Sequence, residues 1–194
     1  KIDNKESTPK QETKGHIFER FAKIYLLTEP THSIRIRRLW HCWEIPEEIK
    51  QKIDHPESDE GIDLLAELND GSYMSVQAKL RSNTNHTLTW DELSTFTALS
   101  FVTCSKIQYG LVITTCEQPL KKRNLVRDKI GFELLSDLEE LDQDQGEGWN
   151  RLRKSIKESK PLKPEPRSPK PYQLDAIEKT EIYFLKQSGN TRGK

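Results

Sequence analysis

Residues 58–82 read SDEGIDLLAELNDGSYMSVQAKLRS, and the parity of this stretch decides how the chain folds. Two short apolar runs flank Asn69-Asp70-Gly71, which suits a three-residue hairpin loop with Gly71 in the left-handed region. Such a loop pairs Leu68 with Ser72, and so sets Asp63 opposite Gln77 and Gly61 opposite Lys79. One face then carries Ile62, Leu64, Ala66, Leu68, Met74, Val76, Ala78 and Leu80. The other carries Asp63, Glu67, Tyr73, Ser75, Gln77 and Lys79, with Leu65 its only aliphatic residue. A two-residue loop would slip the pairing by one and mix the two sets, so the three-residue register is favoured. The expectation is a hairpin with one core face and one wet face, the wet face gathering Asp63, Gln77 and Lys79.

Those residue types suit metal-assisted hydrolysis of a phosphodiester. A carboxylate such as Asp63 holds a hard divalent cation through oxygen, and the Gln77 amide oxygen or the Ala78 carbonyl adds further oxygen ligands. An ammonium at Lys79 orients the attacking water or offsets charge building on the phosphorane. Charged residues on the solvated face of a strand are also common, and Asp…Gln-x-Lys arises by chance, so these three residues alone leave both readings open.

Gly61-Ile62-Asp63, a hairpin and Gln77-Ala78-Lys79, preceded by a helix bearing a glutamate, resemble the core of the PD-(D/E)xK nuclease superfamily. The likeness is to its Mrr-like restriction endonuclease branch, where glutamine commonly stands before x-Lys, and it spans residues 15–141. It implies a restriction-endonuclease-like α/β core, a small mixed β-sheet flanked by helices. It also implies a site in which Asp63 is the principal metal ligand, Gln77 and Glu19 assist, and Lys79 is the catalytic cation. The implied cofactor is Mg²⁺ or Mn²⁺, and the implied reaction is in-line attack of water on double-stranded DNA, with a second nuclease copy for double-strand cleavage. Gln77 in place of an acid removes one negative ligand.

Upstream of the hairpin, residues 1–14 are polar without periodicity and read as a disordered tail. Residues 15–28 read as a helix, with Phe18, Phe21, Ala22 and Tyr25 on one face and Glu19 at the edge of the apolar arc. Glu29-Pro30-Thr31 is a stop signal. Residues 33–44, SIRIRRLWHCWE, set Arg35, Arg37 and Arg38 beside Trp40 and Trp43. That arrangement suits phosphate contact and base stacking, and equally suits an element with core tryptophans and surface arginines.

Downstream, residues 90–103 read as a helix capped by Thr89 or Asp91, and residues 109–115 as a central strand apolar on both faces. Residues 118–128 read as a helix whose Lys121, Lys122 and Arg123 suit a phosphate backbone, and equally a solvated face. A strand over 130–135 and helices over 136–142 and 149–159 complete the α/β order. The nuclease-like domain is expected over residues 15–159.

Prolines at 161, 164, 166, 169 and 171 make residues 160–171 an extended linker. Pro171-Tyr172-Gln173 then opens a helix that resembles the Q-motif region of superfamily 2 helicase motors, where the corresponding glutamine, Gln173 here, reads adenine. No G-x-x-x-x-G-K-[S/T] follows, so residues 172–194 are expected to be the truncated start of a motor, with ATP used only by the intact protein. A nuclease, a proline linker and a Q-motif is the arrangement of helicase-fused, single-polypeptide Type ISP restriction enzymes.

The chain has 194 residues, 31 Lys and Arg against 31 Asp and Glu, and 32% charged residues. A balanced charge confines any DNA surface to local patches. No apolar run spans a bilayer, the start shows no signal-peptide pattern, and Cys42, Cys104 and Cys116 contain no C-x-x-C pair, so a reducing cytoplasm is expected. Three rival readings remain: a non-catalytic DNA-binding module of the same fold, a junction-resolvase-like nuclease, and an α/β interaction domain without a nucleic-acid role.

Overall fold

Five strands form one mixed sheet in the order β1 (Ile36–His41), β2 (Leu64–Leu68), β3 (Tyr73–Lys79), β4 (Ile107–Thr114) and β5 (Ile130–Glu133). The first three pair antiparallel, and the last three pair parallel. This is seen in a computed structural model, which describes residues 13–57, 61–119, 129–142, 146–158, 160–163 and 170–189, the last six of these for secondary structure alone. The chain divides into two units, Lys1–Pro164 and Glu165–Lys194.

The hairpin forms as parity requires between Leu64 and Leu68. Gly71 takes φ +83°, Leu68 N–H donates to Ser72 O at 2.9 Å, and the ladder runs Glu67↔Tyr73, Ala66↔Met74, Leu65↔Ser75, Leu64↔Val76. It does not continue to Asp63↔Gln77 as the parity argument expects. Asp63 N–H donates instead to Val76 O at 2.9 Å, so Asp63 and Leu64 both face Val76 and the strand bulges by one residue. Past the bulge the faces exchange: Ile62 packs with Leu65 and Phe96 rather than with Leu64. Gly61 lies at Gln77, whose Nε2 donates to its carbonyl, and not at Lys79.

The face of the hairpin expected to be wet is covered. Leu65, Tyr73 and Ser75 are fully buried, and Glu67 and Gln77 nearly so. Hairpin parity says which residues share a face but not what covers it. Both hairpin strands are interior to the sheet, and the parallel connection from β3 to β4 lays α4 (Trp90–Ala98) over that face. Leu93 and Phe96 of α4, with Ile49 of α3 (Glu47–Lys52) and Ile45 and Ile53 beside it, close a core around Leu65, Tyr73 and Val112. The opposite face packs Leu64, Ala66, Val76 and Ile113 against Phe18, Ala22, Tyr25 and Leu26 of α1 (Lys14–Thr28) and Leu152 of α6 (Glu147–Lys157).

The helices follow their local signals with few departures. Thr89, rather than Asp91, caps α4, and Leu99–Thr103 continues it as one π-helical turn. Pro30 does end α1, and in the same step it starts a one-turn helix α2 (Pro30–Ser33), because its fixed φ suits the first helical position. Residues 33–44 resolve into the edge strand β1 and a 3₁₀ turn at Cys42–Glu44, with Trp40 packed on the core and Trp43 exposed. α5 (Leu135–Glu139) follows β5. The expected helix over 118–128, with Lys121, Lys122 and Arg123, lies outside the described residues except at its first two positions. In the second unit, α7 (Pro171–Gly189) begins at the proline, and its residues 171–183 are exposed. No helix among the described residues is long and apolar enough to cross a membrane.

Candidate active site

The bulge at Asp63 builds the site. With the ladder broken, Ala78 N–H has lost its strand partner, and the Asp63 carboxylate takes that place, Oδ2 accepting from Ala78 N–H at 2.6 Å. The Asp63 carbonyl accepts from Cys42 N–H at 3.1 Å, which extends the β1–β2 pairing past His41↔Leu64. Asp63 is thereby held from both sides at the end of the sheet where β3 leaves it.

Gln77 points to the α4 side of the sheet, buried. Its Nε2 donates to Gly61 O at 3.3 Å, while Oε1 is buried with no hydrogen-bond partner. Gly61 packs tightly there: a Cβ on it would meet the Phe96 N and Cα atoms of α4 at 3.3 Å. Lys79, two residues on and on the same face, is half-buried. Its carbonyl is pinned by Thr114 Oγ1 at 2.8 Å and Thr115 N–H at 3.4 Å. Arg81 continues this line, its N–H on Thr115 Oγ1 at 2.8 Å and its guanidinium on Glu92. Burial alone would raise the Glu92 carboxyl. Hydrogen bonds from His86, Arg81 and Thr89 overcome that and hold it at about 2.

The structure thus brings Asp63, Gln77 and Lys79 to one end of the sheet. Glu19 sits on α1, which packs on the opposite face, and is half-buried with burial raising its pKa against the nearby His16. The polar edge of α1 does reach the Asp63 end: Lys23 pairs with Glu44 just beyond β1, and Lys23 and Arg20 both act on His41. Among the described residues Glu19 makes no hydrogen bond or ion pair with Asp63, Gln77 or Lys79.

The arginines of β1 are placed elsewhere. Arg38 Nε meets buried Glu67 Oε2 at 2.5 Å and Arg37 lies 3.8 Å from its other oxygen. Arg35 is exposed beside the hairpin loop, its carbonyl accepting from Asn69 N–H at 2.9 Å, at the end of the sheet opposite Asp63. Gln173 closes its own helix, Oε1 accepting from Lys170 N–H at 2.8 Å.

Reading the sequence missed Thr114, Thr115 and the Arg81–Glu92–His86 cluster. Thr89-x-x-Glu92 is a capping-box pattern and was legible. Lys79↔Thr114 belongs to the parallel β3–β4 register, which no local pattern reveals.

A divalent cation is the group this site would need, and the donors fit it. Gln77 Oε1 is a buried oxygen without a partner, and Asp63, whose carboxylate binds the N–H of the next residue, Ala78, is a second oxygen donor, the hard-oxygen chemistry such a cation takes. No three His, Cys, Asp or Glu side chains cluster as a metal site among the described residues.

A mixed five-stranded sheet, helix-covered on both faces with these residues at one end, is the restriction-endonuclease-like fold. Residues 27–145 match the restriction endonuclease model Mrr_cat_2, and the chain belongs to that family. The match includes Asp63, Gln77 and Lys79 and begins after Glu19. Among solved structures, the ATP-dependent Type ISP restriction-modification enzyme LlaBIII bound to DNA is similar, with a TM-score of 0.55 at 24% identity over 89% of this chain. This chain covers only 10% of that one. The MspJI restriction endonuclease in complex with a 27-mer oligonucleotide gives a TM-score of 0.40 at 11% identity, over 79% of this chain and 34% of that one. No curated protein matches the sequence significantly.

Proposed function

We propose that this chain is the endodeoxyribonuclease domain of a restriction enzyme, hydrolysing phosphodiester bonds of double-stranded DNA with Mg²⁺ or Mn²⁺. The observation that carries the proposal is the bulge. It turns the Asp63 carboxylate onto Ala78 N–H, the backbone donor between Gln77, whose Oε1 is unpartnered, and Lys79. Asp63 and Gln77 would hold the cation, with Glu19 reaching it from the edge of α1. A bound cation supplies positive charge to the phosphate and acidifies water. Lys79 offsets charge developing on the phosphorane and orients the attacking water. Asp63, fixed through its carbonyl and carboxylate, keeps the donors in place without reorganisation.

In the intact protein we propose that residues 160–171 link this domain to an ATP-driven translocase whose first helix is α7, with Gln173 released from its cap to read adenine. Arg35, Arg37 and Arg38 at and beside β1, and Lys121, Lys122 and Arg123, are proposed as phosphate contacts, and a second nuclease copy as the source of the second cut. The Type ISP neighbour is an ATP-dependent enzyme bound to DNA, which agrees with this arrangement.

The test is nicking of supercoiled plasmid by the chain with Mg²⁺ or Mn²⁺, against Asp63→Ala and Lys79→Ala. Metal-dependent nicking lost in both variants is the expected result. Nicking unchanged in both would remove catalysis from this site, and salt-sensitive binding without products would favour the non-catalytic module.

A further inference from the structure

Trp43 is the residue near this site that packing does not explain. It sits on the 3₁₀ turn directly after Cys42, whose N–H binds the Asp63 carbonyl, and it is 61% exposed. Its ring is nevertheless fixed. His41, only 5% exposed, lies parallel beneath it with 4.5 Å between centroids and 4° between planes. His16 meets it edge-on at 6.1 Å. Burial, together with Lys23 and Arg20 and against Glu44, lowers the His41 pKa.

An exposed indole stacked on a buried imidazole, on the turn that binds the Asp63 carbonyl, has the make-up of a stacking platform for single strands. We propose that Trp43, backed by His41, stacks on an unpaired nucleobase of a DNA strand held at the Asp63 end of the sheet. The proposal rests on the reading of that site as a DNA nuclease. Every base presents a π-face, so the platform selects unpaired over paired DNA and not one sequence over another. Arg20 and Lys23 act on His41, and Lys23 is paired with Glu44 of the same turn, so the stacked indole and not a free cation carries the contact.

The experiment measures fluorescence anisotropy of a labelled single-stranded oligonucleotide and of its duplex, in EDTA, with the 194-residue chain, Trp43→Ala and Trp43→Phe. Trp43→Ala should bind the single strand roughly 5- to 100-fold more weakly, and Trp43→Phe should regain most of the loss. Duplex affinity should change by less than about twofold, and the salt slope for the single strand should not change, because stacking releases no counterions. Equal single-strand binding by the wild type and Trp43→Ala overturns the platform, as does equal loss on both probes or failure of the wild type to bind the single strand. Plasmid nicking by the same proteins separates the two readings. Nicking that depends on Asp63, with binding indifferent to Trp43, removes the platform alone. Binding that depends on Trp43, without nicking, removes the nuclease alone.

Discussion

Gln77→Glu is the substitution that interrogates the site most directly, because it restores an acid where the structure has a buried amide. Gln77 is 5% exposed, its Nε2 donates to Gly61 O at 3.3 Å, and its Oε1 is unpartnered. A glutamate loses the donor, leaving a carboxylate oxygen against a carbonyl oxygen. The lost hydrogen bond is worth about 1 kcal/mol. The second negative charge beside Asp63 in a covered position raises the new carboxyl's pKa, and each unit of that rise costs about 1.4 kcal/mol at neutral pH. A total of about 2–4 kcal/mol in EDTA is expected, a fall in melting temperature of roughly 4–16 °C for a chain of this size. A divalent cation between the two carboxylates reverses the sign of their interaction. Saturation at a hundredfold excess over Kd returns about 2.7 kcal/mol. Thermal denaturation in EDTA and in excess Mn²⁺ therefore shows a large metal-dependent gain for Gln77→Glu and a smaller one for the wild type. A variant that melts with the wild type in EDTA would refute the covered, donor-using placement of Gln77. A destabilised variant that gains nothing from Mn²⁺ would refute the cation site.

Three further outcomes follow from the geometry. Gly61→Ala places a Cβ at 3.3 Å from α4 backbone atoms, which have no rotamer to yield, so overpacking of about 1–3 kcal/mol is expected in urea denaturation. Leu65→Ala empties a fully buried position on the face that parity leaves wet and should cost about 2–5 kcal/mol, whereas Leu80→Ala, at a position 38% exposed, should cost about 1 kcal/mol or less. Glu92 is held at about 2 from an ordinary 4.5, so its stabilisation is complete above about pH 4.5 and is lost as pH falls toward 2. Glu92→Gln should be less stable than the wild type at neutral pH, with the gap between their melting temperatures closing across that acid window.

The linear sequence determined most of the elements and named the candidate residues Asp63, Gln77 and Lys79. Asn69-Asp70-Gly71 sets a loop that Gly71 closes at φ +83°, and the loop sets the parity of the hairpin. The 3.6-residue spacing of Phe18, Ala22 and Tyr25 sets α1, and the β-branched run in β4 marks an interior strand. These are local properties, decided by sterics and by patterns within a few residues. Tertiary structure alone decided three things. It covered the second face of the hairpin, because only the parallel connection after β3 says where α4 lies. It broke the ladder at Asp63, where Asp63 N–H bonds Val76 O in place of the regular Asp63↔Gln77 pairing, a departure that hairpin parity does not contain. It set Trp43 and His41 beside Asp63, because the β1–β2 pairing joins residues about twenty positions apart, and no periodicity in the sequence records a partner at that distance.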